Sequence, residues 1–310
     1  MMPRARTVFI GVKRVGESAL KILLACDTPV VAVITMNGDD NAGIVALAKK
    51  ANIPIFQAPD MKSPEFLKTI AALKPQRGLM FSFPKILKKS FLDLFEMGCF
   101  NFHPARLPEY RGCYPTIWPI LNDDKVAQCT MHVVDEGIDT GEIIDTWDVS
   151  VLPDETGYSL YEKMIEVIPR LLGKHLPKIL LEQPIGIKQD ESRANYFFKK
   201  LPHEAKIDWN WGAVKIDRFV RALYHPIFLG AYTDVDGKKF EVLAIKEAKH
   251  LRGIEQRPGT FISKDEDLFI ACGEGYIQVV MTRDVDGSLL KERIGFYFEK
   301  NFCELKEESK

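Results

Sequence analysis

The sequence predicts an α/β fold: a Rossmann-like, twisted, mostly parallel sheet with helices on both faces, followed by a smaller C-terminal OB-like β-barrel. Two observations support this. In the first half of the 310-residue chain, short β-branched apolar runs alternate with helix-like segments, as in βαβ units. Beyond a polar stretch near residue 190, short strands separated by glycine-containing turns take over. The chain is long enough for two domains with separate cores, predicted at 1–190 and 191–310.

Hydrophobic periodicity places the elements of the first domain in order. Helical spacing of apolar residues is typical of amphipathic helices, whereas short β-branched runs are typical of buried strands. We predict strands at 7–10, 30–35, 78–81, 99–103, 127–134 and 142–151. We predict helices at 16–24, 43–52, 63–73 and 159–181, the last interrupted by Pro169.

The turn from Gly11 to Gly16 joins the first strand to its helix and invites a dinucleotide-binding interpretation. It lacks the central glycine of the Gly-x-Gly-x-x-Gly pattern. A tight turn and close helix packing explain both glycines equally well.

A polar segment over 183–193 is the predicted linker. After it the periodicity changes, because a helix at 213–223 is followed by five short strand patterns. These lie at 230–235, 238–245, 259–263, 268–271 and 275–281. Short strands at this spacing indicate a small barrel or sandwich.

The composition excludes several function classes. The formal charge is −1, which argues against strong sequence-independent binding of nucleic acid. No apolar run approaches the roughly 20 residues that span a bilayer, so we expect no membrane partner. The six cysteines form no Cys-x-x-Cys pair, which argues against zinc and disulfides and favours the cytoplasm. The oligomeric state stays open, with a homodimer as one alternative.

Two candidate catalytic residues lie in the second half of the strand at 99–103. Asn101 and His103 are two residues apart, so on an extended segment they point to the same side, and Pro104 ends the strand. A histidine can exchange a proton near neutral pH, and an amide N–H can donate to a developing oxyanion. Asp139, in a glycine-bounded turn, could orient the imidazole or a water. The alternative is a structural histidine and a common turn.

Three motifs carry a resemblance: Asn-Phe-His-Pro at 101–104, Leu-Pro-Glu-Tyr-Arg-Gly at 107–112, and Asp-Glu-Gly-Ile-Asp-Thr-Gly at 135–141. Together they resemble the folate-dependent formyltransferase family. The resemblance implies that Asn101, His103 and Asp139 are the catalytic trio. It also implies 10-formyltetrahydrofolate as the formyl donor, with no metal. The implied donor site comprises Phe83, Lys85, Ile86, Leu87, Val134 and Gly137.

The resemblance extends to the second domain, where 208–209 and 270–275 look like the OB-like domain of methionyl-tRNA and amino-sugar formyltransferases. The tRNA-acting members carry a basic insertion after the second strand. The corresponding segment here, 35–43, is short and contains Asp39 and Asp40 but no Lys or Arg. We therefore expect a small-molecule acceptor, most notably a dTDP- or UDP-linked amino sugar, and no nucleic-acid partner.

The predicted acceptor site comprises Arg111, Gly112, Tyr114 and Pro115. An Arg fork suits phosphate and a Tyr face suits a base or sugar ring; a structural Arg and a packed Tyr are the alternatives. Other activities stay open. They are formylation of another small amine such as N-hydroxyornithine, formylation of methionyl-tRNA, hydrolysis of 10-formyltetrahydrofolate, and ligand binding on a degenerate scaffold.

Overall fold

The computed structural model of the protein describes residues 4–182, 184–224, 230–235, 238–251, 256–264 and 267–284. In the N-terminal part, the structure contains every predicted strand and helix, together with several short elements that the sequence did not predict. In order, the strands and helices are β1 (Thr7–Gly11), α1 (Lys13–Ala25), β2 (Val30–Thr35), α2 (Ala42–Lys50), β3 (Ile55–Gln57), α3 (Pro64–Ala72), β4 (Arg77–Phe81), α4 (Lys89–Leu92), β5 (Cys99–His103), β6 (Arg111–Gly112), α5 (Ile117–Leu121), β7 (Val126–Val133), β8 (Ile143–Ser150), α6 (Gly157–Ile179) and β9 (Tyr196–Phe197).

Seven of these strands form one sheet in the order β3-β2-β1-β4-β5-β7-β8. The pairs among β1 to β5 are parallel, whereas β5–β7 and β7–β8 are antiparallel. The predicted mostly parallel sheet is therefore confirmed. Its antiparallel side matters for function, because it places β7 directly beside β5.

The chain forms two compact units. One comprises Met1–Pro115, Val126–Ser150 and Tyr161–Lys199, and the other comprises Thr116–Lys125, Val151–Leu160 and Lys200–Lys310. The second unit contains α7 (Ala213–Leu223) and a five-stranded antiparallel sheet. Its strands are β10 (Tyr232–Val235), β11 (Lys238–Glu247), β12 (Phe261–Lys264), β13 (Asp267–Ala271) and β14 (Tyr276–Asp284), in the order β10-β11-β14-β13-β12. The predicted C-terminal β domain is confirmed, and its closure into an OB-like barrel stays a prediction.

One predicted helix break is wrong. The long helix α6 continues through both Pro169 and Pro177. A proline inside a helix removes one hydrogen bond and crowds the preceding turn. Here the apolar face of α6 is buried, with Leu160 and Leu171 fully enclosed, and most helical stability in proteins comes from such packing. Along the described ranges, no helix is both long and apolar enough to cross a membrane.

The turn between β1 and α1 fits the packing explanation of its glycines. A Cβ on Gly16 would lie 3.0 Å from the backbone carbon of Gly11 and 3.0 Å from the Ile44 side chain. The helix therefore approaches the strand as closely as a glycine permits.

An aromatic stack crosses the centre of the sheet. Phe81 on β4 lies between Phe9 on β1 and Phe102 on β5, with ring centroids 5.5 and 4.9 Å apart. All three side chains are buried. This stack fixes β5, the strand that carries Asn101 and His103, against the strands beside it.

We expect Phe81→Ala to lower the free energy of unfolding by about 3–5 kcal/mol, because the truncation leaves a cavity in a closely packed core. Chemical denaturation of the purified variant measures this loss. Phe198→Ala is the matched control, since that ring is 68% exposed, and it should change stability by less than about 1 kcal/mol. Equal losses from the two variants would contradict the central role of the stack.

Candidate active site

The structure brings Asn101, His103 and Asp139 together. Asn101 and His103 lie on β5, every residue of which is buried, and Asp139 lies in the turn between β7 and β8. Asn101 Nδ2 is 3.5 Å from Asp139 Oδ1, and His103 Nδ1 is 3.8 Å from Asp139 Oδ2. Two polar side chains on a buried strand thus face one carboxylate.

The two ring nitrogens of His103 have different surroundings. Nε2 lies 2.9 Å from the backbone carbonyl oxygen of Tyr110. Because a carbonyl can only accept, Nε2 carries a proton and donates it. Nδ1 is therefore the nitrogen that faces Asp139, and any proton exchanged with a substrate would use Nδ1. A proton at this position would face the Asp139 carboxylate.

A second histidine, His132, belongs to the same cluster. It lies on β7 directly opposite Asn101, is 2% exposed, and its Nε2 is 3.1 Å from Asn101 Nδ2. Its Nδ1 lies 2.8 Å from the Val133 carbonyl oxygen, so Nδ1 carries the proton and Nε2 accepts from the amide. Sequence reasoning missed His132, because only the register between β5 and β7 brings it to the site.

The His132 tautomer also determines the orientation of the Asn101 amide. With Nδ2 directed at His132 and Asp139, the amide oxygen Oδ1 is buried and has no hydrogen-bond partner among the described residues. Buried polar atoms are rarely left unpaired. Oδ1 is thus free to accept from an N–H of a bound amine. Donation by Asn101 to an oxyanion would require one Nδ2 hydrogen to leave its present partner, and the 3.5 Å contact with Asp139 is the weaker of the two.

Asp139 is a carboxylate held in its charged form. Its burial by itself raises the pKa. The charge of His103 and a 2.8 Å hydrogen bond from the Gly112 backbone N–H act against burial. They hold the pKa of Asp139 well below its usual range, so at neutral pH this group orients and stabilises charge rather than donating a proton.

The predicted donor site divides into core and exposed parts. Phe83 and Leu87 are packed in the apolar core of the sheet, and Val134 packs against the same cluster. Lys85 Nζ donates to the Pro59 carbonyl at 2.9 Å, and Ile86 is 48% exposed. The Leu87 side chain is 1% exposed, so it supports the segment from within the core, and its contact with the donor stays a prediction.

Pro84 and Ile86 are the exposed residues of this segment. The segment borders the Asp139 turn, because the Lys89 N–H donates to Glu136 Oε1 at 3.2 Å. Gly137 lies in that same exposed turn, where its N–H donates to Asp135 Oδ1 at 3.0 Å.

The predicted acceptor residues also differ in their burial and in their hydrogen-bond partners. The Arg111 side chain is fully buried, and its guanidinium donates to Gln189, Glu191 and Tyr196. This geometry favours the structural alternative for Arg111. Tyr114 and Pro115 lie two and three residues after Gly112 and are half-buried, so part of each residue is exposed.

The described residues offer no group of three or more His, Cys, Asp or Glu side chains that could hold a metal ion. A separate groove of about 1230 Å³ lies within the C-terminal unit, where Lys215, Arg257 and Glu274 line it. It contains none of the predicted site residues.

Comparison with known proteins places the chain in a family. A formyl transferase family model matches residues 6–176, and a model of the formyl transferase C-terminal domain matches residues 200–291. A methionyl-tRNA formyltransferase of Marinobacter nauticus is 30% identical over 284 residues, which cover 88% of this chain and 90% of the relative.

Solved structures share the fold. An N-formyltransferase from Helicobacter canadensis, in complex with folinic acid and dTDP-3-aminofucose, matches with a TM-score of 0.69 and 20% identity, covering 90% of this chain and 99% of that one. The sugar 3N-formyl transferase WlaRD, in the presence of dTDP and 5-N-formyl-THF, matches with a TM-score of 0.68 and 19% identity, covering 92% and 99%.

Proposed function

Because the chain belongs to the formyl transferase family, we propose that it moves a formyl group from 10-formyltetrahydrofolate to the amino group of a dTDP- or UDP-linked amino sugar. The observation that carries the choice of chemistry is the convergence of Asn101, His103 and Asp139 on one point. The two solved structures described above support the choice of acceptor, because one is a complex with folinic acid and dTDP-3-aminofucose and the other was obtained in the presence of dTDP and 5-N-formyl-THF.

Within this proposal the three side chains divide the work. Asn101 Oδ1 accepts from the acceptor amine and its amide hydrogens stabilise the oxygen that becomes negative. His103 takes or gives a proton at Nδ1, and Asp139 stabilises the resulting imidazolium. The exposed backbone around Lys85 and Ile86, with the turn at Gly137, would hold the donor.

The preference for a small acceptor has an electrostatic basis. The segment between β2 and α2 forms a short 3₁₀ turn, Asp39–Asn41, in which Asp39 and Asp40 are exposed. Asn41 fixes this turn to α1 by accepting from the Lys13 N–H at 2.8 Å. An acidic, docked turn is a poor surface for tRNA phosphates, which require cations. Tyr114 is the side chain that we assign to the sugar or base.

Methionyl-tRNA is the second candidate acceptor. It is favoured by the 30% identity to a methionyl-tRNA formyltransferase across nearly the full length of both chains. The two candidates share the catalytic cluster and differ in the charge that the acceptor brings to the protein.

A competition between acceptors tests the proposal. We expect kcat/KM to be higher for at least one dTDP- or UDP-linked amino sugar than for methionyl-tRNA, with a gain of one formyl group seen by mass spectrometry. The salt dependence should be shallow, because a nucleotide diphosphate engages few cations, whereas tRNA binding would fall steeply with salt.

Efficient transfer to methionyl-tRNA, with no activity on any sugar, would overturn the choice of acceptor. Formate release without any added amine would instead identify a hydrolase. A cytoplasmic location and a domain boundary at residue 190 belong to the same set of proposals.

A further inference from the structure

The segment over 184–197, which contains most of the linker predicted at 183–193, contacts the catalytic loops. Its short strand β9 pairs in parallel with β6, with Arg111 opposite Tyr196 and Gly112 opposite Phe197. The Arg111 N–H donates to the Asn195 carbonyl at 3.1 Å. This segment is therefore part of the site rather than a free connection.

Gln189, in this segment, bridges two active-site loops with one side chain. Its Nε2 donates to the carbonyl oxygens of Asp139 and Gly141, at 2.8 and 2.7 Å. Its Oε1 accepts from Arg111 Nε and Nη2, at 3.1 and 2.9 Å. Both amide hydrogens of Gln189 thus bind the turn that carries Asp139, and the amide oxygen binds the loop that carries Arg111.

Arg111 is a rigid partner for this bridge. Its remaining N–H groups donate to Glu191 at 2.6 and 2.9 Å and to the Tyr196 hydroxyl at 2.6 Å, so all five guanidinium donors are engaged. The hydrogen bond with Glu191 raises the pKa of Arg111, although burial opposes it. The guanidinium is fixed and charged.

Gly112, the residue after Arg111, connects the two loops a second time. Gly112 donates its N–H to Asp139 Oδ2 at 2.8 Å, from a left-handed backbone with φ of +100°. A Cβ at this position would lie 2.2 Å from the Phe197 carbonyl oxygen, so only glycine fits. Asp139 itself has a φ of +54°, a conformation that the surrounding contacts must hold.

We propose that Gln189 is a positioning residue, which clasps the Asp139 turn to the Arg111 loop and thereby aims the Asp139 carboxylate at His103. We call this set of hydrogen bonds the Gln189 clasp. The inference deepens the proposed function, since it concerns the same carboxylate. A displacement of about 1 Å at a catalytic group can cost about 100-fold in rate.

Gln189→Glu is the sharpest test, because it keeps the length and the acceptor for Arg111 but replaces the two N–H donors with a carboxylate facing two carbonyls. We expect kcat to fall about 10- to 100-fold, with KM for both substrates changed less than about threefold. The control is Lys188→Ala, whose exposed side chain precedes the clasp, and its kcat should match the wild type. Gln189→Met, of similar length and uncharged, replaces Gln189→Glu if the introduced charge prevents folding.

Two readouts separate positioning from a merely structural role. In an Asp139→Asn background, Gln189→Glu should have little further effect on kcat, because it acts through that carboxylate. Hydrogen exchange at the Gly112 amide should be faster in Gln189→Glu than in Lys188→Ala. An unchanged kcat, or the same loss in both backgrounds, would overturn the inference. If the wild type transfers no formyl group to any acceptor, the proposed function fails, whereas the exchange experiment still tests the clasp.

Discussion

His103→Ala should lower kcat about a hundred- to ten-thousand-fold while leaving the fold intact. The substitution removes the nitrogen at which a proton is exchanged, an effect of this size in general acid–base catalysis. It also removes the imidazole that faces the Asp139 carboxylate, with Nδ1 3.8 Å from Oδ2. Steady-state kinetics with saturating donor and acceptor measure the loss, and circular dichroism checks the fold.

His175→Ala is the matched control. His175 is also largely buried and paired with a carboxylate, with its Nε2 2.6 Å from Asp145 Oδ2. Asp145 lies on β8 and does not belong to the catalytic cluster. We expect turnover of His175→Ala within about threefold of the wild type. Near-normal turnover of a folded His103→Ala enzyme would refute the role of His103.

Asn101→Ala should lower kcat about a hundred- to thousand-fold, the effect typical of losing one group that stabilises an oxyanion. The amide is held by His132 and Asp139, and its buried oxygen has no partner among the described residues. The variant loses both the donor and the acceptor at the reacting carbon. Stopped assays that measure product over several hours have the sensitivity to detect the residual rate.

The control for this prediction is Asn37→Ala, since Asn37 is exposed and lies outside the cluster. Its kcat and KM should stay near wild-type values. If Asn101→Ala and Asn37→Ala had the same turnover, Asn101 would be a packing residue and the chemistry would have to rest on His103 and Asp139.

The sequence alone predicted most of the first unit, for a local reason. Strands β1, β2, β4 and β5 are short, apolar and β-branched or aromatic, and the helices between them have clear helical periodicity, so each segment carries its own signal. The two-residue spacing of Asn101 and His103 likewise placed them on one side of a strand. Elements of two or three residues, such as β3 and β9, are too short for any period to be recognised.

Only the tertiary structure decided which residues meet. His132 joins Asn101 through the register of two antiparallel strands, and Gln189 reaches Arg111 across 78 residues of sequence. The continuation of α6 through Pro169 depends on burial against other segments. The sequence determined the local conformation and the chemistry-bearing groups, because these depend on near neighbours. Their burial, tautomers and hydrogen-bond partners depend on distant contacts, and no local pattern encodes those.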